Sequence, residues 1–262
     1  MRVLANGIIT NFTLDGPADA PVVTLSHSLA ASLEMWDPQL PALARRYRVL
    51  RYDTRGHGGS EAPPGAYSLE MLADDVLALL AALEIPRTHF VGLSLGGMIG
   101  QTLALEHPEI LESLALADTA SRIPPEMGPL WDQRVEVAGS KGMAALADGT
   151  IERWFTGRFI AESPEVVDGI RALIRTTAPS GFAGCCRAIQ NLDYTDRLGE
   201  IRLPTLIIVG ENDMGTPVAA SEVMHQRIAG SKLVVIGPAA HLSNIEQADQ
   251  FNQNITVFLD GL

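Results

Sequence analysis

Cysteine is almost absent from this chain of 262 residues, and its only two copies, Cys185 and Cys186, are adjacent. Neighbouring residues do not easily reach the geometry of an unstrained disulfide, so the sequence predicts two free thiols and a reducing compartment. Residues 1–7 contain no apolar core followed by a cleavage site, which predicts no secretory signal. These observations favour a cytoplasmic protein.

Basic side chains and long apolar runs are also scarce. The chain carries 19 Lys and Arg against 31 Asp and Glu, a formal net charge of −12, which argues against nucleic acid and anionic membrane surfaces as partners. No apolar stretch approaches the roughly 20 residues that span a bilayer, so we expect no membrane segment. His, Cys and carboxylate residues nowhere have the spacing of metal ligands, so we expect no metal site. A homo-oligomer is compatible with this composition.

Strand-like and helix-like patterns alternate over the first third of the chain and again near its end. This alternation predicts strands that pair in parallel, in a sheet with helices on both faces. Ser68 is a suitable N-cap for one of the helices, with acidic residues in its first turns. The predicted strands are 8–14, 22–26, 48–52, 88–91, 111–117, 206–209 and 233–236, and the predicted helices are 36–46, 68–83, 98–106, 218–228 and 245–259.

Residues 120–200 interrupt the alternation. They contain no β-branched run of strand length, and proline and glycine divide them into short helical segments. We therefore predict an α/β protein with a mostly parallel central sheet flanked by helices. Its core is formed by residues 1–119 and 201–262, and residues 120–200 are inserted as a helical cap.

The pentapeptide from Gly92 to Gly96 has the pattern Gly-x-Ser-x-Gly and lies between a predicted strand and a predicted helix. A serine on such a tight turn takes a strained backbone conformation, and only residues without a large Cβ substituent fit beside it. The turn exposes the serine hydroxyl to a base and a substrate. The pattern therefore predicts Ser94 as a nucleophile.

A serine nucleophile needs a base, and the base needs a third group that holds its tautomer. Ligands of parallel α/β sheets bind at the carboxyl ends of the strands, so both partners are sought directly after strands. Asp213 and His241 each follow a late predicted strand, and the order Ser94, Asp213, His241 is the expected one. Glu211 and Asp118 stay as alternative acids.

A tetrahedral intermediate also requires donors for its oxyanion. We predict the backbone N–H of Leu95, directly after the nucleophile, and that of Leu29, in the loop after strand 22–26. His27 in the same loop is interpreted as a structural brace. In the glycine-rich segment 53–60 we interpret Asp53 and Arg55 as a pair that locks the loop, since no P-loop lysine follows.

Taken together, these motifs resemble the α/β-hydrolase superfamily over nearly the whole chain. They are Ser-His-Ser-Leu at 26–29, Asp-x-Arg-Gly-His-Gly-x-Ser at 53–60, Gly-Leu-Ser-Leu-Gly-Gly at 92–97, the acid at 213 and the histidine at 241.

Within that superfamily the chain resembles the 3-oxoadipate enol-lactonases of aromatic degradation by the β-ketoadipate pathway. The similar stretches are 32–40, 49–57, 153–156, 181–189 and 240–246. One loop departs from the pattern: Ser-His-Ser-Leu-Ala at 26–30 replaces Asn and Gly of the usual Ser-Asn-Ser-Leu-Gly.

The resemblance implies a serine hydrolase that opens a small lactone through an acyl-enzyme and needs no cofactor. The natural substrate of such a lactonase carries a free carboxylate, for which the cap offers Arg122, Arg134, Arg153 and Arg158. We single out Arg134 as its partner and Trp154 as a pocket wall. The alternatives are a carboxylesterase, an acyl-homoserine lactonase, a C–C bond hydrolase and a ligand receptor without turnover.

Overall fold

The computed structural model of the protein describes residues 1–262, and a single eight-stranded sheet lies at its centre. The strands are β1 (Arg2–Ala5), β2 (Ile8–Asp15), β3 (Val22–Ser26), β4 (Arg48–Tyr52), β5 (Thr88–Leu93), β6 (Leu111–Ala117), β7 (Thr205–Gly210) and β8 (Lys232–Ile236). Their order in the sheet is β1-β2-β4-β3-β5-β6-β7-β8. Only β1 with β2 and β2 with β4 pair antiparallel, so the predicted mostly parallel sheet is confirmed.

Eleven α-helices accompany the sheet, and none has the length and apolarity that crossing a bilayer requires. They are α1 (Leu40–Leu43), α2 (Leu69–Ala82), α3 (Leu95–Glu106), α4 (Gly128–Lys141), α5 (Ala144–Trp154), α6 (Gly157–Glu162), α7 (Pro164–Thr176), α8 (Pro179–Gln190), α9 (Val218–Arg227), α10 (Ser243–Glu246) and α11 (Ala248–Asp260).

The central strands are apolar almost without interruption, because helices cover both faces of a parallel sheet. All six residues of β7 are buried, as are five of the six in β5 and six of the seven in β6. Helix α3 packs on β5 and β6, and α9 and α11 pack on β7 and β8. The core thus holds the carboxyl ends of β5, β7 and β8 in fixed positions.

Between β6 and β7 the chain forms α4 to α8 and no strand; a single isolated bridge joins Arg122 to Asp193. Prolines and Gly142 lie at the helix boundaries, as expected of residues that start or stop helices, whereas the other cap glycines, such as Gly139 and Gly169, lie within helices or begin them. Pro164 and Pro179 are the first residues of α7 and α8, and Gly142 ends α4 with φ 77°.

Three local predictions differ from the structure. Strand β1 was not expected, because its side chains are mostly exposed and give no apolar signal. The predicted helix 36–46 is a 3-10 helix from Leu33 to Gln39 followed by α1, with prolines at 38 and 41. The predicted helix 245–259 is divided at Gln247, which leaves the helical conformation with φ −129° and ψ 53°.

Candidate active site

Ser94 stands on the turn between β5 and α3, so the predicted strand–turn–helix is confirmed. Its φ of 55° and ψ of −114° are strained for a residue with a Cβ atom. A Cβ on Gly92 would lie 2.1 Å from the carbonyl oxygen of Gly96, and one on Gly96 would lie 2.1 Å from that of Ser26. Both flanking positions therefore require glycine, and the side chain of Ser94 lines a cavity above the sheet.

Asp213 and His241 follow β7 and β8, and the structure brings them into contact. Nδ1 of His241 lies 2.8 Å from Oδ2 of Asp213. Oδ1 of the same carboxylate accepts the backbone N–H groups of Gly215 at 2.8 Å and Thr216 at 3.0 Å, and Oδ2 accepts the Thr216 hydroxyl at 2.6 Å. These bonds fix the carboxylate, which in turn holds a proton on Nδ1 and leaves Nε2 free to act as a base.

The two side chains shift each other's ionisation. Burial lowers the pKa of His241, but the charge of Asp213 and its hydrogen bond outweigh burial and raise the pKa above 6.5. Burial likewise opposes ionisation of Asp213, yet the charge of His241 and the bonds from His241 and Thr216 lower the pKa of this carboxyl below 3.8. The pair thus favours a carboxylate beside an imidazole that protonates readily.

The alternative acids occupy other positions. Glu211 is exposed. Asp118 is fully buried after β6, where its Oδ1 accepts the N–H of Gly210 at 2.7 Å and its Oδ2 lies 2.5 Å from the hydroxyl of Ser243. Burial, followed by the charge of Asp213, raises the pKa of Asp118 to about 8. Asp118 therefore joins the loops that follow β7 and β8, through Gly210 and Ser243, and makes no hydrogen bond to the imidazole.

Two backbone N–H groups beside Ser94 are unpaired. Leu95 is the first residue of α3, where an N–H has no acceptor within the helix. The N–H groups of Ser28 and Ala30 are both taken by neighbouring side chains, whereas that of Leu29 between them has no acceptor. The N–H groups of Leu29 and Leu95, the two predicted oxyanion donors, are thus free to bind a ligand, whereas the N–H groups on either side of Leu29 already have acceptors.

Two histidines brace the loop that carries Leu29. Nε2 of His27 accepts the N–H of Thr54 at 2.9 Å, and Nε2 of His57 accepts the N–H of Ala30 at 2.9 Å. Each Nδ1 faces a backbone carbonyl, at 2.7 Å for His27 and 3.2 Å for His57. Burial lowers the pKa of both rings, that of His57 to about 3, so both are neutral. The predicted bracing role of His27 is confirmed, and His57 was missed although it lies in the glycine-rich motif.

Ala30 takes φ 60°, a conformation that favours glycine. The bond from its N–H to the His57 ring helps to hold that conformation.

The predicted pair of Asp53 with Arg55 is wrong. Arg55 instead binds Asp75 on α2, with Nε donating to Oδ2 at 2.7 Å and Nη2 to Oδ1 at 2.5 Å. Asp53 accepts the N–H of Leu33 at 2.8 Å and that of Gly59 at 2.8 Å. The two side chains do lock the loop, as expected, but each through a different partner.

The cavity above Ser94 has a volume of about 530 Å³ and is mostly apolar. The indole of Trp154 forms one wall, with its ring centroid 6.3 Å from that of His241. No Asp or Glu lines the cavity, and no cluster of His, Cys, Asp or Glu in the structure has the arrangement of a metal site. The other apolar lining residues include Leu29, Met98, Ile123, Met127, Leu130, Trp131, Leu146, Phe182, Ile189 and Met214.

Of the four cap arginines that the sequence offers as carboxylate partners, two line the cavity without an acidic partner. Arg134 is half-buried, with its guanidinium 4.7 Å from the centre of the Trp131 ring. Arg153 is more exposed and lies near enough for the charge of Arg134 to lower its pKa further, after partial burial. Arg122 also lines the cavity but pairs with a carboxylate, and Arg158 forms a surface ion pair.

A family model described as the alpha/beta hydrolase fold matches residues 21–248. The chain belongs to this family. This α/β hydrolase is 37% identical over 251 residues to 3-oxoadipate enol-lactonase 2 of Acinetobacter baylyi, with 96% of this chain and 93% of that protein covered.

Two solved structures are also similar to this α/β hydrolase. The enol-lactonase from Burkholderia xenovorans superposes with a TM-score of 0.96 at 41% identity, covering 99% of this chain and 100% of that one. A malate-bound thermophilic esterase from Thermogutta terrifontis superposes with a TM-score of 0.95 at 30% identity, covering 100% and 98%. The resemblance noted in the sequence is confirmed.

Proposed function

We propose that this α/β hydrolase is a serine hydrolase that opens a lactone carrying a free carboxylate, of the 3-oxoadipate enol-lactone kind. The proposal depends on one observation: two arginines without an acidic partner, Arg134 and Arg153, lie in the same cavity as Ser94 and His241. The similarity to proteins named enol-lactonases supports the same substrate class.

The reaction begins when Ser94 attacks the lactone carbonyl and its hydroxyl proton passes to His241. The structure has no hydrogen bond between these side chains, and such contacts commonly tighten only with substrate bound. The N–H groups of Leu29 and Leu95 stabilise the oxyanion, and Asp213 stabilises the imidazolium.

The ring C–O bond then breaks, and His241 returns its proton to the leaving enol oxygen. The product of this half-reaction is an acyl-enzyme whose enol end tautomerises to a ketone. Water, deprotonated by His241, attacks the acyl carbon. The second tetrahedral intermediate then collapses as His241 returns the proton to the Ser94 oxygen, which releases the acid and restores the serine hydroxyl. No step needs a cofactor.

Arg134 and Arg153 bind the free carboxylate of the substrate in this proposal. Neither guanidinium has an acidic partner, so both keep donors for a ligand, and a carboxylate among apolar walls needs such donors. Trp154 covers the lactone ring beside His241. Residues 120–200 thus act as a cap that selects substrate, over the catalytic core of residues 1–119 and 201–262.

A carboxylesterase acting on neutral esters is the second candidate, favoured by the mostly apolar cavity and by the similarity to a structure named an esterase. Either enzyme would work on small molecules in the cytoplasm, as the absence of disulfides from the chain favours.

The test compares kcat/KM for the enol-lactone with kcat/KM for short p-nitrophenyl esters, in the wild type, Arg134→Met and Arg158→Met. We expect Arg134→Met to lower lactone turnover by about 10- to 100-fold, since a hydrogen bond to a charged group contributes about 1.5–3 kcal/mol, and to leave ester turnover within threefold. Arg158→Met, which removes a surface arginine, should change neither. Efficient ester turnover with no reaction of the lactone would establish the carboxylesterase instead.

A further inference from the structure

The carboxylate of Glu246 is buried between the cap and the loop that carries His241. On the loop side, its Oε2 accepts the backbone N–H of Ala240 at 3.0 Å. On the cap side, it accepts the backbone N–H of Thr156 at 3.2 Å and also the hydroxyl of the same residue. One side chain therefore binds the residue directly before His241 and a cap residue 90 positions away.

A second bond joins the same two segments on the other side of the histidine. The N–H of Leu242 donates to the carbonyl of Trp154 at 3.1 Å, and the indole of Trp154 lies beside the imidazole. Both neighbours of His241 are thus fixed to the cap segment 154–156, directly or through Glu246. The position of the imidazole over the cavity depends on where that segment lies.

Glu246 forms no ion pair, so its contacts depend wholly on hydrogen-bond donors. A buried carboxylate needs those donors, and removing its acceptors would leave buried N–H groups without partners. A glutamine at this position would keep one acceptor oxygen but would bring an amide N–H₂ against donors. The site is therefore specific for a carboxylate.

We propose that Glu246 is a positioning residue that aligns His241 with Ser94 by fixing its loop to Thr156 of the cap. Loss of the carboxylate leaves Ser94 in place but displaces or frees the imidazole. The chemical steps then slow, while substrate affinity, which Arg134 and the apolar walls determine, changes little. The inference rests on the proposed roles of Ser94 and His241 and not on the identity of the substrate.

The test measures how fast a fluorophosphonate labels Ser94, since the serine oxygen displaces fluoride from phosphorus only when His241 takes its proton. Glu246→Gln is compared with Glu162→Gln, a matched change at an exposed cap residue. We expect labelling and kcat for a p-nitrophenyl ester to fall at least tenfold in Glu246→Gln, with KM within twofold of the wild type. Glu162→Gln should match the wild type. Wild-type labelling by a folded Glu246→Gln variant, checked by circular dichroism, would overturn the proposal.

Two substitutions of Thr156 test the cap side, even where Glu246→Gln does not fold. Thr156→Ser keeps the hydroxyl and should label within twofold of the wild-type rate, whereas Thr156→Val removes it and should label several-fold more slowly. Equal rates for the two variants would overturn the proposed coupling through the cap. Wild-type protein that is not labelled at all would instead refute the proposed serine hydrolase, and this inference with it.

Discussion

Nδ1 of His241 lies 2.8 Å from Oδ2 of Asp213, although the two residues are 28 positions apart and follow different strands. The contact exists because β7 and β8 pair in parallel, so their carboxyl ends lie side by side. It sets both the orientation of the imidazole and its readiness to accept a proton.

Replacing Asp213 with Asn should lower kcat by about 10⁴-fold, because an amide does not hold the imidazole in the required tautomer. The pH profile should also change. Catalysis needs neutral His241, whose pKa is raised above 6.5, so wild-type kcat/KM falls as pH drops through that raised value. Without the Asp213 carboxylate, burial and the charge of Arg153 lower the pKa of His241 and only the charge of Asp118 raises it, so the acid limb moves to lower pH. Asp19→Asn, an exposed control, should keep the wild-type profile, and an unmoved acid limb in Asp213→Asn would contradict the assignment.

Replacing Ser94 with Ala should abolish turnover, because no other hydroxyl stands on the strained turn. Losses of about 10⁶-fold are known for nucleophile removal in other serine hydrolases. The hydroxyl of Ser94 donates no hydrogen bond within the protein, so the melting temperature of Ser94→Ala should stay within a few degrees of the wild-type value. Activity above about a hundredth of the wild-type value would point to another nucleophile.

Replacing Gly96 with Ala should lower the free energy of unfolding by about 1–3 kcal/mol or more and impair catalysis, because the new Cβ would lie 2.1 Å from the backbone oxygen of Ser26. Gly169, within α7, provides the matched control, since a Cβ there meets nothing within 4 Å. Gly169→Ala should stabilise the protein by roughly 0.5–1 kcal/mol. Urea unfolding measures the free energy of unfolding of both variants. Destabilisation of Gly96→Ala alone would show that the close backbone contact at position 96 requires glycine, whereas similar values for the two variants would contradict this explanation.

Replacing His57 with Gln should destabilise the protein more at pH 8 than at pH 4. The pKa of His57 is about 3 in the folded state, chiefly because of burial, against an ordinary value of 6.5. The unfolded chain therefore binds more protons in this range, and the stability that neutral His57 contributes is complete above pH 6.5 and declines as pH falls toward 3, by about 1.4 kcal/mol per unit. Urea titrations at several pH values measure the difference in free energy of unfolding between the wild type and His57→Gln. A difference that does not change with pH would contradict the role of neutral His57 in bracing the loop.

Local sterics made the nucleophile turn predictable. The glycines on either side of Ser94 serve contacts within a few residues or with the neighbouring strand, and a short sequence pattern records them. The order of Asp213 and His241 was likewise predictable, because post-strand loops of a parallel sheet meet at one edge.

Contacts between distant segments that no sequence motif marks were not predictable. The sequence predicts a pair of Arg55 with Asp53, two positions away. In the structure Arg55 instead makes a bidentate contact with Asp75 on α2, 20 residues away. The prediction of one helix over 245–259 does not take into account that the side chain of Glu246 binds Thr156. In the structure the helix is interrupted directly after Glu246, at Gln247. No periodicity along the chain encodes such pairs.

Arg134 and Arg153, the two cavity arginines without an acidic partner, belong to a molecule whose net charge is −12. An anionic substrate is therefore repelled at long range by the protein surface and attracted only after it enters the mouth of the cavity. Dissolved salt shortens the reach of that repulsion to about 8 Å at physiological ionic strength. Moderate salt thus speeds the encounter of enzyme and anion, and only higher concentrations weaken the guanidinium contact, so capture of the anion is fastest at an intermediate ionic strength.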